Sequence, residues 1–172
     1  AYATNSAGTA YGSQVQFLTK VSDKEGYLYK TVLIGNQVWM AENLRTKKYN
    51  DDSDVTLVTD PTAWKALTSE AYCWYNNDEA TNKPLYGAMY NWFAVNKGNL
   101  CPTGWHVPTD EEWTALTTTL GGESVAGGKL KEDGTTHWLS PNTGATNESG
   151  FTALPGGYRY RLDGTFADIG KL

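Results

Sequence analysis

The stretch Gly104-Trp105-His106-Val107-Pro108-Thr109-Asp110-Glu111-Glu112-Trp113 constrains the fold of this chain more than any other, because it specifies a loop running into a helix whose first residue is marked. Thr109 is an N-cap, and Glu112, three residues on, completes a capping box in which each side chain accepts the other residue's backbone N–H. Asp110, Glu111 and Glu112 load the first turn with negative charge, where the helix dipole favours it. Trp113, Leu116 and Leu120 recur at helical spacing, so one face is expected in the core, and Gly121-Gly122 supplies the stop.

The rest of the chain is less helical in character. Of 172 residues 40% are hydrophobic, enough for a core, but only 19% are charged, and seven Trp, eleven Tyr and eighteen Gly take the place of helical surface charge. That mixture suits a loop-rich fold with glycine turns and aromatic packing. The formal net charge of −5 argues against nucleic acid or an anionic membrane as partner. No apolar run approaches the roughly 18 residues of a membrane span.

Three segments are expected. Residues 1–19 read as two strands, Ala1 to Thr4 and Tyr11 to Phe17, around an Asn5-Ser6-Ala7-Gly8 turn. Residues 20–26 read as a polar linker, and residues 27–172 as the main domain. Within it Tyr27 to Ile34 and Gln37 to Met40 form a hairpin about a Gly35-Asn36 turn that suits a type II′ connection. Asp60-Pro61 is an N-cap and N1 pair, so Pro61 to Leu67 is a short helix. Cys73 to Asp78 is an aromatic strand ending in a turn. Tyr86, Met89, Tyr90 and Phe93 fall at helical spacing, which predicts a helix over Leu85 to Asn96. Phe151 to Leu154 and Tyr158 to Tyr160 read as strands, with Leu162-Asp163-Gly164-Thr165 as a hairpin turn. Strands, two helices and then strands make an α+β pattern.

Four blocks carry a resemblance: Tyr-x-Thr-Val-x-Ile-Gly-x-Gln-x-Trp-Met-Ala-Glu-Asn-Leu at 29–44, Tyr-Gly-Ala-Met-Tyr-Asn-Trp-Phe-Ala at 86–94, Cys-Pro-Thr-Gly-Trp-His-Val-Pro-Thr at 101–109 and Gly-Phe-Thr-Ala-Leu-Pro-Gly-Gly-Tyr-Arg at 150–159. In this order they resemble the Fibrobacter succinogenes major paralogous domain, found on secreted and surface proteins of bacteria. The resemblance implies a C-type lectin-like fold, an extracellular or cell-surface location, and a kinship of the 107–113 segment with formylglycine-generating enzymes. Family members continue with further aromatic strands and a final cysteine strand, so the resemblance implies a domain lacking its C-terminal strands and leaves the family's partner for Cys101 missing. Residues 1–17 resemble the last two strands of a fibronectin type III-like domain. Because a lone hairpin is marginal and exposed edges seek partners, these residues are expected to pair with a second polypeptide or to be the remnant of a longer protein.

Chemistry-bearing residues are few. Cys73 and Cys101 fit no zinc spacing, and a structural role, as a bridge or as buried thiols, outweighs a nucleophile. His106 reads as a structural hydrogen-bonding group, and His137 as lacking any recognisable acidic or nucleophilic partner. Glu111 and Glu112 point about 100° apart on a helix, so capping explains them better than acid–base work. Asp51, Asp52 and Asp54 form the densest acidic cluster; a structural calcium there is weighed against a solvated turn, which the lack of EF-hand spacing favours. Trp74, Tyr75, Asn76 and Asn77 combine ring faces and amides in the manner of a sugar site, whereas Trp39, Trp92, Trp105 and Trp113 read as core. The sequence therefore points to a non-catalytic adhesion or recognition module for polysaccharide or a surface protein, with no cofactor beyond that calcium. The alternatives are a structural subunit of a surface assembly using strand exchange, and an enzyme of the formylglycine-generating kind.

Overall fold

The computed structural model describes residues 2–5, 8–11 and 21–172. Among these, short strands pair off into five two-stranded antiparallel sheets, and five α-helices accompany them. The class is the expected α+β, with five helices where a short one at Pro61–Leu67 and two longer ones were expected. Strands β1 (Tyr2–Asn5) and β2 (Gly8–Tyr11) pair with each other, Asn5 opposite Gly8. The expected second strand at Tyr11–Phe17 falls, beyond Tyr11, outside the described residues, as does much of the segment likened to sandwich strands.

The expected linker is part of the domain. β3 (Val21–Ser22) pairs with β4 (Leu28–Tyr29), and Val21 is buried. The turn between them is organised by Asp23, itself buried. Its carboxylate accepts the N–H of Glu25 at 2.9 Å, the N–H of Tyr27 at 3.0 Å and the Tyr29 hydroxyl at 2.6 Å. That hydroxyl accepts the N–H of Arg45 at 3.1 Å. Burial, with the Asp23 carboxylate beside it, drives the Tyr29 phenol far above its ordinary range.

β5 (Thr31–Ile34) and β6 (Gln37–Met40) form the expected hairpin, with Ile34 opposite Gln37 and Gly35 alone of the two turn residues at positive φ, as a type II′ turn requires. α1 (Pro61–Lys65) starts on Asp60, whose carboxylate accepts the Ala63 N–H at 2.7 Å. β7 (Tyr72–Cys73) leads into a 3-10 turn at Tyr75–Asn77.

The helix expected over Leu85–Asn96 does not form. α2 (Glu79–Tyr86) ends at Gly87, β8 (Met89–Tyr90) pairs with β7, and α3 (Trp92–Asn96) begins afresh. Gly87 sits at φ +68°, and a Cβ there would lie 2.5 Å from the Leu44 carbonyl oxygen. Asn91 then restarts the helix: its Oδ1 accepts the N–H groups of Ala94 and Ala71, and its Nδ2 donates to the Ser69 carbonyl. Tyr86, Met89, Tyr90 and Phe93 share a spacing but not an element.

α4 (Asp110–Thr119) is the helix expected from its start signals, and α5 (Glu123–Leu130) follows the Gly121-Gly122 stop. The end of α5 is covered by the following loop. The N–H of Thr146 donates to the Gly128 carbonyl, that of Ser149 to Lys129 and that of Ala153 to Leu130, so carbonyls that a helix end leaves unpaired are satisfied. Phe151–Leu154 is not a strand; Ala153 makes only a single parallel bridge to Lys131. β9 (Gly156–Arg159) and β10 (Phe166–Ile169) close the domain around the expected turn, where the Asp163 carboxylate accepts the N–H and hydroxyl of Thr165.

Three aromatic-rich clusters hold these pieces together. Tyr49, Val55, Tyr72, Trp74, Ala94 and Leu100 form one; Ile34, Trp39, Leu116, Leu120 and Ala126 a second; Trp64, Ala71 and Cys73 a third. Burying a large apolar side chain contributes roughly 1.5–3 kcal/mol. Arg159, only 9% exposed, reaches into the third cluster. Its Nε donates to the Gly164 carbonyl at 3.0 Å, Nη1 to Val58 at 2.7 Å and Nη2 to Thr59 at 2.8 Å, with its guanidinium over the rings of Trp64 and Phe166. It thereby ties the β9–β10 hairpin to a segment a hundred residues earlier in the chain.

Candidate functional site

The structure scatters the side chains that the sequence singled out. Trp74 and Tyr75 are 2% and 8% exposed, inside the protein, so neither presents a ring face to a sugar. This corrects the expected Trp74–Asn77 site. The reason lies in β7: its two residues are both buried, and the strand delivers the next two rings into the core before the 3-10 turn at positive φ brings Asn76 and Asn77 out. Asn77 is then engaged with the Thr59 carbonyl.

At Asp51, Asp52 and Asp54, where a calcium was weighed against the favoured solvated turn, the carboxylates have protein partners. The cation between Asp52 and Asp54 is the Lys48 ammonium, 3.3 Å and 3.1 Å from their carboxylates, and Asp54 first and Asp52 second raise the Lys48 pKa. Asp51 faces elsewhere, accepting from the Ser53 hydroxyl and from Asn99, and its pKa is lowered chiefly by Ser53. Among the described residues no three His, Cys, Asp or Glu side chains converge to hold a metal ion.

The helix start has the geometry the sequence predicted. The Glu112 N–H donates to Thr109 Oγ1 at 3.2 Å, and the Thr109 N–H donates to Glu112 Oε2 at 2.9 Å. His106 adds a contact of 2.9 Å from Nε2 to the same carboxylate. The Thr109 N–H foremost, and then His106, hold the Glu112 carboxyl below its ordinary range. Its contribution to stability is therefore complete above the ordinary carboxylate pKa and is lost as pH falls through the lowered one. Thr109→Ala should destabilise the domain by about 1 kcal/mol, read as a shifted urea midpoint; an unchanged midpoint would show the box to be ornamental.

Other expected residues divide. Leu116 and Leu120 are buried as expected, but Trp113 lies at the rim, its ring 4.8 Å from that of buried Trp39. Trp105 is half-buried, and Trp92, 69% exposed, is not core at all, because the Asn91 cap sets it at the first position of α3. Cys73 and Cys101 are both free thiols, and burial pushes both up in pKa, disfavouring the thiolate; Arg159 partly offsets this at Cys73. His137 does have an acidic partner: Glu132 stands 2.8 Å from its Nδ1.

The surface instead offers a pair of rings that the sequence reading placed on a strand without assigning them a role. Tyr158, in β9, and Tyr160, just past its end, flank buried Arg159, and both are exposed. Their ring centroids lie 6.3 Å apart in an edge-to-face arrangement. The Asp168 carboxylate on β10 stands beside Tyr158 and raises its phenol pKa. The signal was the Tyr-Arg-Tyr string at 158–160, whose outer residues a strand's period of two would put on one side.

Taken together, these elements define a small α+β domain with aromatic cores and an aromatic patch on its last hairpin. The sequence model of the Fibrobacter succinogenes major domain matches residues 32–172, and the chain belongs to that bacterial family. No curated protein and no solved structure matches the chain.

Proposed function

We propose that this chain is a non-catalytic binding module, of C-type lectin-like type and displayed outside the cell, that recognises polysaccharide through the outer face of the β9–β10 hairpin. The observation that carries the reading is the exposed Tyr158–Tyr160 pair with the Asp168 carboxylate alongside. Sugar rings carry apolar C–H faces and a rim of hydroxyls. Exposed aromatic rings with a neighbouring carboxylate offer a stacking surface and a hydrogen-bond acceptor, the mix of apolar area and few polar groups that fixes a ligand's orientation. Tyrosine supplies that area at low conformational-entropy cost.

Affinity electrophoresis in gels containing xylan, mannan or hydroxyethylcellulose tests this. At least one polymer should retard the chain, and Tyr158→Ala with Tyr160→Ala should remove the retardation while leaving the far-ultraviolet spectrum intact. Retardation by none of the three, or retardation indifferent to the double substitution, would overturn the assignment.

A second reading, a structural subunit joined to neighbours by strand exchange, draws on the sheets. Every named strand belongs to a two-stranded sheet, and of these β7 takes a further partner, Leu57, on its far side; short sheets of this kind have edges that can take another strand. Concentration-dependent growth in light scattering would favour it.

A further inference from the structure

A cleft of about 210 Å³ opens where the end of β6 and the loop after it meet the end of α2 and residues 151–154. Met40, Leu85 and Phe151 supply apolar lining; Glu42, Arg45 and Thr152 supply polar groups. The Arg45 guanidinium is poorly paired for its 16% side-chain exposure. It lies over the rings of Tyr27 and Tyr29, 5.8 Å and 5.5 Å from their centroids, but its hydrogen-bonding contacts are two long ones, from Nη2 to Glu42 at 3.4 Å and from Nη1 to the Pro84 carbonyl at 3.5 Å. Its Nε–H is shut off from solvent with no acceptor among the described residues. Arg159, the more deeply buried of the two arginines, has all three of its nitrogen positions bonded at 2.7–3.0 Å. Burying a guanidinium with its donors unmet is costly, and the contrast between the two arginines leaves the long-bonded Nη groups of Arg45 short of an acceptor, with the enclosed Nε–H as a reporter beside them.

The rim of the cleft carries a second sign. Thr152 stands at φ +59°, a region that a β-branched residue rarely enters. Asn147 clasps it there: the Thr152 N–H donates to Asn147 Oδ1 and Asn147 Nδ2 donates to Thr152 Oγ1, each at 2.9 Å. Backbone held in a costly conformation by a dedicated clasp collects at ligand sites.

Charge and size narrow the occupant. Lys30 and Arg45 against Glu42 leave the cleft with one net positive charge in a chain whose formal net charge is −5. Glu42 is already engaged, its Oε2 accepting the Lys30 N–H at 2.6 Å. The volume lies below the ~300 Å³ at which drug-sized pockets begin, which suits one ring and not a chain of rings. A carboxylate presents two acceptors in the plane that a guanidinium fork fits. We infer that the cleft binds a single acidic sugar, a hexuronate, with its carboxylate on Arg45, an apolar ring face on the Phe151 side and hydroxyls toward Thr152 and Asn43. The inference deepens the polysaccharide reading above by adding a uronate subsite, but it uses none of the hairpin residues.

Titration with D-glucuronate and D-galacturonate, each beside its neutral hexose, tests the proposal in nitrogen-15 NMR spectra that include the arginine Nε–H region. At least one uronate should move the Arg45 Nε–H signal saturably, the neutral sugars should not, and Arg45→Lys should weaken binding at least tenfold. Tyr158→Ala with Tyr160→Ala should leave uronate binding unchanged, so failure of the hairpin and failure of the cleft are separate results. An Nε–H signal indifferent to both uronates, equal response to uronate and hexose, or full binding by the Arg45→Lys chain would each overturn the assignment.

Discussion

Arg159→Met should lower the unfolding free energy by about 3–5 kcal/mol, because it removes three charge-assisted hydrogen bonds and leaves the buried Gly164 carbonyl without this donor. The acceptors are the carbonyls of Val58, Thr59 and Gly164. Methionine keeps much of the apolar stem between Trp64 and Phe166 but offers no N–H, so the effect isolates the guanidinium. In a domain of this size a loss of each 1 kcal/mol lowers Tm by roughly 2–4 °C, so a drop of about 10 °C is expected in a thermal melt. Arg159→Lys should recover little, since a single ammonium cannot span three divergent carbonyls. A methionine variant within about 1 kcal/mol of the parent would mean that the bonds merely repay the cost of burying the charge.

Two adjacent glycines of α5 should respond to alanine with opposite signs. A Cβ at Gly127 meets nothing within 4 Å, and Gly127→Ala should stabilise the domain by roughly 0.5–1 kcal/mol, the ordinary return for removing a helical glycine. At Gly128 the same methyl would land on the Gly144 carbonyl, in the loop that covers the helix end. Gly128→Ala must push that loop off or bend the helix, and should cost about 1–3 kcal/mol. Paired urea melts read both. Helix propensity is the same at both positions, so a stabilising Gly128→Ala would show that the loop yields freely and contributes little to holding the helix end.

What the sequence disclosed depended on how locally each feature is determined. α4 was readable because its cap, reciprocal carboxylate, first-turn charges and stop all lie within fourteen residues, Thr109 to Gly122. The 35–36 and 162–165 turns were readable for the same reason. The 85–96 segment was misread because its outcome rests on Gly87 meeting the Leu44 carbonyl and on Asn91 reaching Ser69 and Ala71, partners that no helical period reveals. Trp74 carried the right chemistry for a sugar site, but burial is decided by what packs over a ring, here Tyr72 and the first cluster. For Asp52 and Asp54 the sequence favoured a solvated turn over calcium, but not the Lys48 ammonium that the fold of the turn brings between them. The cleft went unseen because Arg45, Pro84 and Thr152 are far apart in the chain.

The Asp23 turn bears on how this domain would act as part of something larger. Val21 is buried, Ser22 is paired with Leu28, and Asp23 gathers two backbone amides and a hydroxyl into one buried carboxylate. A flexible tether would let the domain swivel and would dissipate a pull along the chain. From Val21 onward there is no such slack. Tension applied there loads the Asp23 node and, through the Tyr29 hydroxyl, the backbone at Arg45 beside the cleft.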